Sequence, residues 1–248
     1  MNPSIIIQAR VNSSRLPAKM IMPFDGNRTL LDVVIDQISN TINKHQIIVA
    51  TSNSISDDKI TEIVQKKGIR VFRGSENNVL KRFINAAEYY KINKMIRVCA
   101  DNPFINTRAI HNLWNEFLNR DFDYISYQYQ DGTPSIRTHL GIYAEGVSLD
   151  ALKKAEELID DSIYEEHVTN YIYEHPNLFK THFINVPPIL EQSREVRLTI
   201  DTLEDFKNAQ YIFANTKNKD NIEEILGVVR RNKEIITSMS NQINQNRK

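Results

Sequence analysis

The chain has 248 residues, 41% hydrophobic and 25% charged, and its 31 basic and 31 acidic side chains cancel. This is globular chemistry able to bury a full core, without the basic excess that would signal a nucleic-acid partner. The single cysteine, Cys99, excludes an intrachain disulfide and a thiolate metal cluster; with no apolar stretch of the ~20 residues a bilayer requires and no signal-peptide pattern, a cytoplasmic protein with no membrane partner is expected.

Ile5–Ala9 is a β-branched, apolar run that reads as a buried strand. It opens into a polar loop carrying Arg10, Asn12, Ser13, Ser14, Arg15 and Lys19, and Thr29 then caps a helix running to about Thr41. Strand, anion-ready loop and helix is a layout in which α/β proteins hold phosphate. Further strands are expected at Gln46–Thr51, Ile69–Phe72 and Lys94–Ala100. Helices beginning near Asp57, Val79 and Thr107 fall between and after them. This repeated rhythm predicts a three-layer α/β/α domain with a mostly parallel sheet.

After a strand at Asp123–Tyr127 the pattern breaks. Residues 128–147 mix Gly, Pro, Tyr, Arg and His without a period, and Leu149–Ile159 and Ile163–Glu174 then read as helices. Phe179–Val186 and Glu195–Ile200 read as strands, separated by an irregular excursion at Pro187-Pro188. Two helices follow, and from Thr237 onward the Ser/Asn/Gln-rich chain is expected to fray, giving one domain over 1–236 and a polar tail over 237–248.

Ligands of open α/β sheets sit outside the carboxyl ends of the strands. There the first strand presents its cations, the second Thr51 and Ser52, the third Arg73 and Gly74, with Asn78 and Arg82 entering the next helix. Asp101 and Asp201 close two others. Cations at one strand end and single carboxylates at others suit a polyphosphate gripped by Arg and Lys with Mg²⁺ on one or two carboxylates. A solvated basic loop and helix-capping aspartates are the competing explanations. Neither G-x-x-x-x-G-K-[ST] nor G-x-G-x-x-G is present, so any phosphate cradle depends on side chains. Asp121-Phe122-Asp123 spells the D-x-D of metal-dependent glycosyltransferases but precedes a strand, which favours a turn, and Cys99 within a strand reads as core.

The run Ile7-Gln8-Ala9-Arg10-Val11-Asn12-Ser13-Ser14-Arg15-Leu16-Pro17-Ala18-Lys19 resembles the signature of the cytidylyltransferases that make CMP-activated acidic sugars, within them the spore-coat-polysaccharide-type branch. The blocks Gly74–Phe83, Arg97–Ile105, Glu166–Tyr173 and Arg197–Phe206 agree with that branch in order and spacing. The resemblance implies a fold like that of nucleotide-diphospho-sugar transferases. It implies a Mg²⁺-dependent nucleotidyltransferase joining CMP from CTP to an acidic sugar of the nonulosonic or ulosonic type, with release of pyrophosphate, for surface polysaccharide biosynthesis.

Carried over residue by residue, the resemblance assigns catalysis to Arg10, Arg15, Lys19 and Asp101 and metal binding to Asp101 and Asp201. Ala9, Asn12, Ser13, Ser14, Thr51, Ser52, Gly74, Asn78 and Arg82 would lie along the nucleotide. Gly141-Ile142-Tyr143-Ala144-Glu145-Gly146 departs from the branch's usual Gly-Leu-Asp-Val-Glu-Val-like run, placing Tyr143 where an acidic residue is common. That region faces the acceptor, so Arg137, His139 and Glu145 are the expected acceptor-binding residues. Residues about 128–200 are also expected to supply a homodimer contact. The rival functions are a glycosyltransferase that uses a nucleotide sugar and a catalytically inactive nucleotide-binding module.

Overall fold

In a computed structural model, which describes residues 3–245, the chain folds around one seven-stranded sheet. The strands are β1 (Ile5–Gln8), then a small antiparallel ribbon of β2 (Pro23–Asp25) and β3 (Arg28–Thr29), then β4 (Ile47–Ser52), β5 (Arg70–Gly74), β6 (Lys94–Cys99), β7 (Tyr124–Gln128), β8 (Glu145–Ser148) and β9 (Thr181–Asn185). The helices are α1 (Leu30–Ser39), α2 (Asp58–Lys66), α3 (Val79–Tyr89), α4 (Thr107–Asn119), α5 (Leu149–Leu158), α6 (Ile163–Glu166), α7 (Asn170–Glu174), α8 (Pro188–Glu191), α9 (Leu203–Asn215), α10 (Ile222–Arg230) and α11 (Lys233–Gln245).

The sheet order is β5-β4-β1-β6-β8-β7-β9, parallel except for β8, which runs antiparallel to both neighbours. Period-two alternation divides the core between its faces. Ile5 and Ile7 pack with α1, α2, α4 and α9–α11, whereas Ile6, Ile48 and Ala50 pack with α3, α5 and α7. The three layers expected from the βαβ rhythm are thus present. Strand β1 pairs with β4 on one side and with β6 on the other. The chain winds outward through β4 and β5 before returning to β6, so a topological switch point, where such sheets bind ligands, lies beyond Gln8 and Cys99.

Local chemistry accounts for several boundaries. Thr29 and Asp32 form a reciprocal capping box at the start of α1, and Thr202 and Asp205 form another at α9. Gly68 takes φ +69 after α2, a left-handed conformation that ends the helix.

The second half departs from expectation in four places. Glu195–Ile200 forms no strand: the Leu198 and Thr199 amides donate to His139 O and the Ile200 amide donates to Asp101 O, so the segment clamps across the strand ends. Glu145–Ser148, hidden in the aperiodic region, is the antiparallel strand; Gly146 has room for no Cβ, which would stand 2.5 Å from Ile125 Cγ2. The helix expected over Ile163–Glu174 is two short ones broken at 167–169. The expected fraying from Thr237 is not observed, because α11 continues to Gln245 with Ile235 and Met239 buried against the core. Residues 246–248 of the expected tail lie outside the described residues. No helix among the described residues is long and apolar enough to cross a membrane.

Candidate active site

The loop after β1 is held from below by a residue that the sequence reading did not single out. Asp57, 1% exposed, accepts hydrogen bonds from the Val11 amide at 2.7 Å, Thr51 Oγ1 at 2.8 Å, the Ser52 amide at 2.9 Å and Ser52 Oγ. Its charge is thus met by four donors, as a buried carboxylate requires. Thr51 and Ser52, expected to lie along the nucleotide, are completely buried with their hydroxyls spent on this task. Their place is structural support. The loop closes on itself through the Ala18 amide donating to Val11 O at 2.9 Å, with Ala18 at φ 62, an uncommon left-handed conformation for a residue with a Cβ.

That closure delivers Lys19 to the switch point. Its ammonium, 5% exposed, lies 2.9 Å from Asp101 Oδ2 and 4.0 Å from Asp201 Oδ1, and also donates to Ile200 O. Arg15 Nη2 donates to Asp201 Oδ1 at 2.7 Å. The carboxylates from the end of β6 and from the late clamp therefore face the cations of the first loop across sequence separations of 82 and 186 residues.

Asp201 is fixed from behind by Arg197, whose Nη2 donates to Asp201 Oδ2 at 3.0 Å and to Asp205 Oδ2 at 2.8 Å while its Nε donates to Asp205 Oδ1 at 2.7 Å. Burial opposes the Arg197 charge, yet the two carboxylates hold its pKa above the ordinary value. Asp205, although burial pushes its carboxyl up, is held below the usual range by Arg197 and by the amides of Asp201 and Thr202. His139, expected to bind acceptor, is buried with Nδ1 against Arg197 and belongs to this support.

Two cavities meet at these residues. The smaller, about 170 Å³, is lined by Ala9, Arg10, Ser13, Ser14 and Lys19; the larger, about 420 Å³, is lined by Arg97, Asn102, Arg137, Tyr143, Glu166, His167, Asn170, Tyr173 and Thr199. Gln8, Arg15, Cys99, Asp101, Glu166 and Asp201 line both. The smaller is cation-rich and polar, suited to phosphates. The larger is roomy enough for a small organic substrate. Cys99, read as core, is half-buried at the end of β6 and borders both.

The remaining expected residues divide. Arg10 lines the smaller cavity and pairs with Glu166, while Asn12 donates to Glu76 Oε1 at 2.7 Å. Asn78 caps α3 by accepting from the Lys81 amide at 2.7 Å. Arg82 is fully buried beneath the loop. Its Nη1 donates to Ser75 O at 2.6 Å, its Nε and Nη2 have no partner, and burial together with the nearby Arg10 charge lowers its pKa to about 10. A Cβ on Gly74 would stand 3.0 Å from Arg82 Cγ, so the glycine admits this packing. Arg137 lines the larger cavity, 3.9 Å from Glu174. Glu145 does not line it: the carboxylate is 1% exposed and saturated by Arg97, Tyr124 and Thr169.

Gly141 fixes the wall of the larger cavity. It takes φ +65, and a Cβ there would lie 2.7 Å from Thr199 Cγ2 and 2.9 Å from Thr199 N. Gly141→Ala is expected to cost about 1–3 kcal/mol, read as a lowered melting temperature. An unchanged melting temperature would contradict the tight approach.

Asp101 and Asp201, two hard oxygen donors on the wall shared by both cavities, fit Mg²⁺. That ion commonly binds through one or two carboxylates plus substrate phosphates.

A cytidylyltransferase family profile matches residues 4–245. An uncharacterized protein of Methanocaldococcus jannaschii is 39% identical over 202 residues, covering 82% of this chain and 79% of that protein. The spore coat polysaccharide biosynthesis protein SpsF of Bacillus subtilis is 33% identical over 240 residues, covering 94% and 95%. The solved structure of a cytidylyltransferase from Leptospira borgpetersenii superimposes with a TM-score of 0.83 at 29% identity, covering 95% of this chain and 97% of that one. The chain belongs to the cytidylyltransferase family and is a nucleotidyltransferase.

Proposed function

We propose that the protein transfers CMP from CTP to an acidic sugar and releases pyrophosphate, with Mg²⁺ as cofactor. The observation that carries this reading is the pairing of Lys19 with Asp101 and of Arg15 with Asp201 on the wall common to both cavities. It supports one substrate's phosphates meeting a second substrate at that wall.

The roles follow from the charge that develops. As the acceptor oxygen bonds to the α-phosphorus, the bond to the β-phosphate breaks and negative charge grows on pyrophosphate. Lys19, Arg15 and Arg10 take up that charge, and Ser13 and Ser14 donate hydrogen bonds, a reading supported by their shared lining of the smaller cavity. Mg²⁺ held by Asp101 and Asp201 would neutralise phosphate charge. Arg82, a buried cation close enough to Arg10 for their charges to interact, adds positive potential beneath the loop. The acceptor occupies the larger cavity near Arg137.

Polysaccharide biosynthesis, a cytoplasmic location and a homodimer complete the reading. It is supported against the glycosyltransferase alternative by the place of Asp121 and Asp123. Both lie at the turn before β7, where Asp123 accepts from the Lys180 amide at 2.8 Å and Asp121 pairs with exposed Lys180.

The test offers the enzyme Mg²⁺, each of the four NTPs or a panel of nucleotide sugars, and candidate acids. Pyrophosphate is expected from CTP plus an acid, with nucleotide sugars left intact. Consumption of a nucleotide sugar with free CTP untouched would overturn the reading.

A further inference from the structure

The floor of the larger cavity carries a cation that the transfer as described does not use. Arg97 projects from β6, 8% exposed, and lines that cavity alone. Its Nη1 pairs with Glu145 Oε2, its Nη2 donates to Gln8 Oε1 at 2.9 Å, and its Nε has no partner. Glu145 is itself pinned, its Oε1 accepting from Tyr124 Oη at 2.6 Å and from Thr169 Oγ1 at 2.8 Å. Thr169 lies within the Glu166–Tyr173 run, whose Glu166, His167, Asn170 and Tyr173 wall the same cavity. Glu145 thus ties floor to wall and fixes the guanidinium plane.

The donors of Arg97 are not exhausted by these bonds, because a guanidinium has five N–H groups in a rigid fork. Two further buried atoms of the same lining lack partners: Asn102 Oδ1, an acceptor, and the Thr199 hydroxyl, which can donate or accept. A guanidinium with N–H groups to spare and unpartnered oxygens in the same lining are complementary to a molecule bearing a carboxylate and hydroxyls. A polyphosphate is the poorer match, since Lys19 and Arg10 gather at the other cavity.

We propose that Arg97 is the acceptor-specificity residue. Its guanidinium receives the carboxylate of the hydroxylated sugar acid, with Glu145, Tyr124 and Thr169 as positioning residues. This rests on the reading that the larger cavity takes the acceptor.

The test titrates ketodeoxyoctonate and N-acetylneuraminate, and the methyl ester of each, into protein holding CTP in EDTA, so that binding is read without turnover. Wild type is compared with Arg97→Lys and with the double variant Arg97→Met, Glu145→Gln, which removes the pair together and leaves no lone buried charge. An acid should bind wild type, its ester far less well. The double variant should lose about 10–150-fold in acid affinity, the worth of a hydrogen bond to a charged group, with its CTP affinity unchanged. Equal binding of acid and ester, acid binding retained by the double variant, or no acid binding to wild type would overturn the proposal. Failure of CTP to bind wild type in a parallel titration with Mg²⁺ would instead overturn the nucleotide reading.

Discussion

Asp101→Asn is expected to lower kcat by about 10³-fold or more while the protein stays folded. The carboxylate is partly exposed just beyond the end of β6, and it accepts a hydrogen bond from the Lys19 ammonium at 2.9 Å. An isosteric amide oxygen can still accept that bond, so the loop after β1 keeps its place. What is lost is the negative charge, which is needed to hold a divalent cation against the phosphates. Steady-state pyrophosphate release beside a thermal melt separates the two effects. A variant with unchanged kcat would remove Asp101 from the metal site, and one that unfolds would make it a structural residue.

Arg197→Met should act in the opposite manner, on stability before chemistry. Its guanidinium side chain is completely buried and joins Asp201, Asp205 and His139. Removing it leaves buried Asp205 without its counter-charge, while Asp201 keeps Arg15 and Lys19; breaking a buried pair in this way costs about 3–5 kcal/mol, or a fall of about 10 °C in melting temperature for a chain of this size.

The pH dependence has a definite sign. The folded-state pKa of Asp205 lies below its ordinary value of 3.8, so its stabilisation is fully present above that value and is lost as pH falls through the folded pKa. Without Arg197 the depression weakens, since only the amides of Asp201 and Thr202 remain to lower the pKa, and acid unfolding should begin at higher pH than in wild type. Identical acid transitions would show that the network contributes nothing to stability.

The sequence disclosed the nucleotide half of this fold because its signals are local. Apolar runs of four to six residues at β1, β4 and β6 end in polar loops, and caps such as Thr29 and Asn106 mark the helices between them. The second half was less legible for a physical reason. Glu145–Ser148 is short and contains a glycine, and it is a strand only because β6 and β7 leave a gap that it fills. Conversely, Glu195–Ile200 has strand composition, but its amides find His139 and Asp101 rather than a neighbouring strand. Tertiary partners decide such segments, and periodicity carries no record of them.

The same division runs through the site. Lys19, Asp101 and Asp201 were nameable in advance as charges at segment ends. Which of the polar neighbours face a ligand was not. Thr51, Ser52, His139 and Glu145 all turn inward as support, and Asp57 and Arg97, which do the supporting or line the cavity, resembled ordinary strand and helix-start residues. A charged residue within an apolar strand, as Arg97 is in Lys94–Cys99, was the one signal available, because such a charge must be paired or used.

In the proposed reaction a nucleoside triphosphate and an acid meet at the wall formed by Arg15, Lys19, Asp101 and Asp201. Mass spectrometry of a reaction containing the protein, Mg²⁺, CTP and a panel of sugar acids tests it most directly. The predicted result is a CMP–sugar-acid conjugate formed in equal amount with pyrophosphate. Intact CTP with every acid, or CTP breakdown that yields CMP and no conjugate, would contradict it.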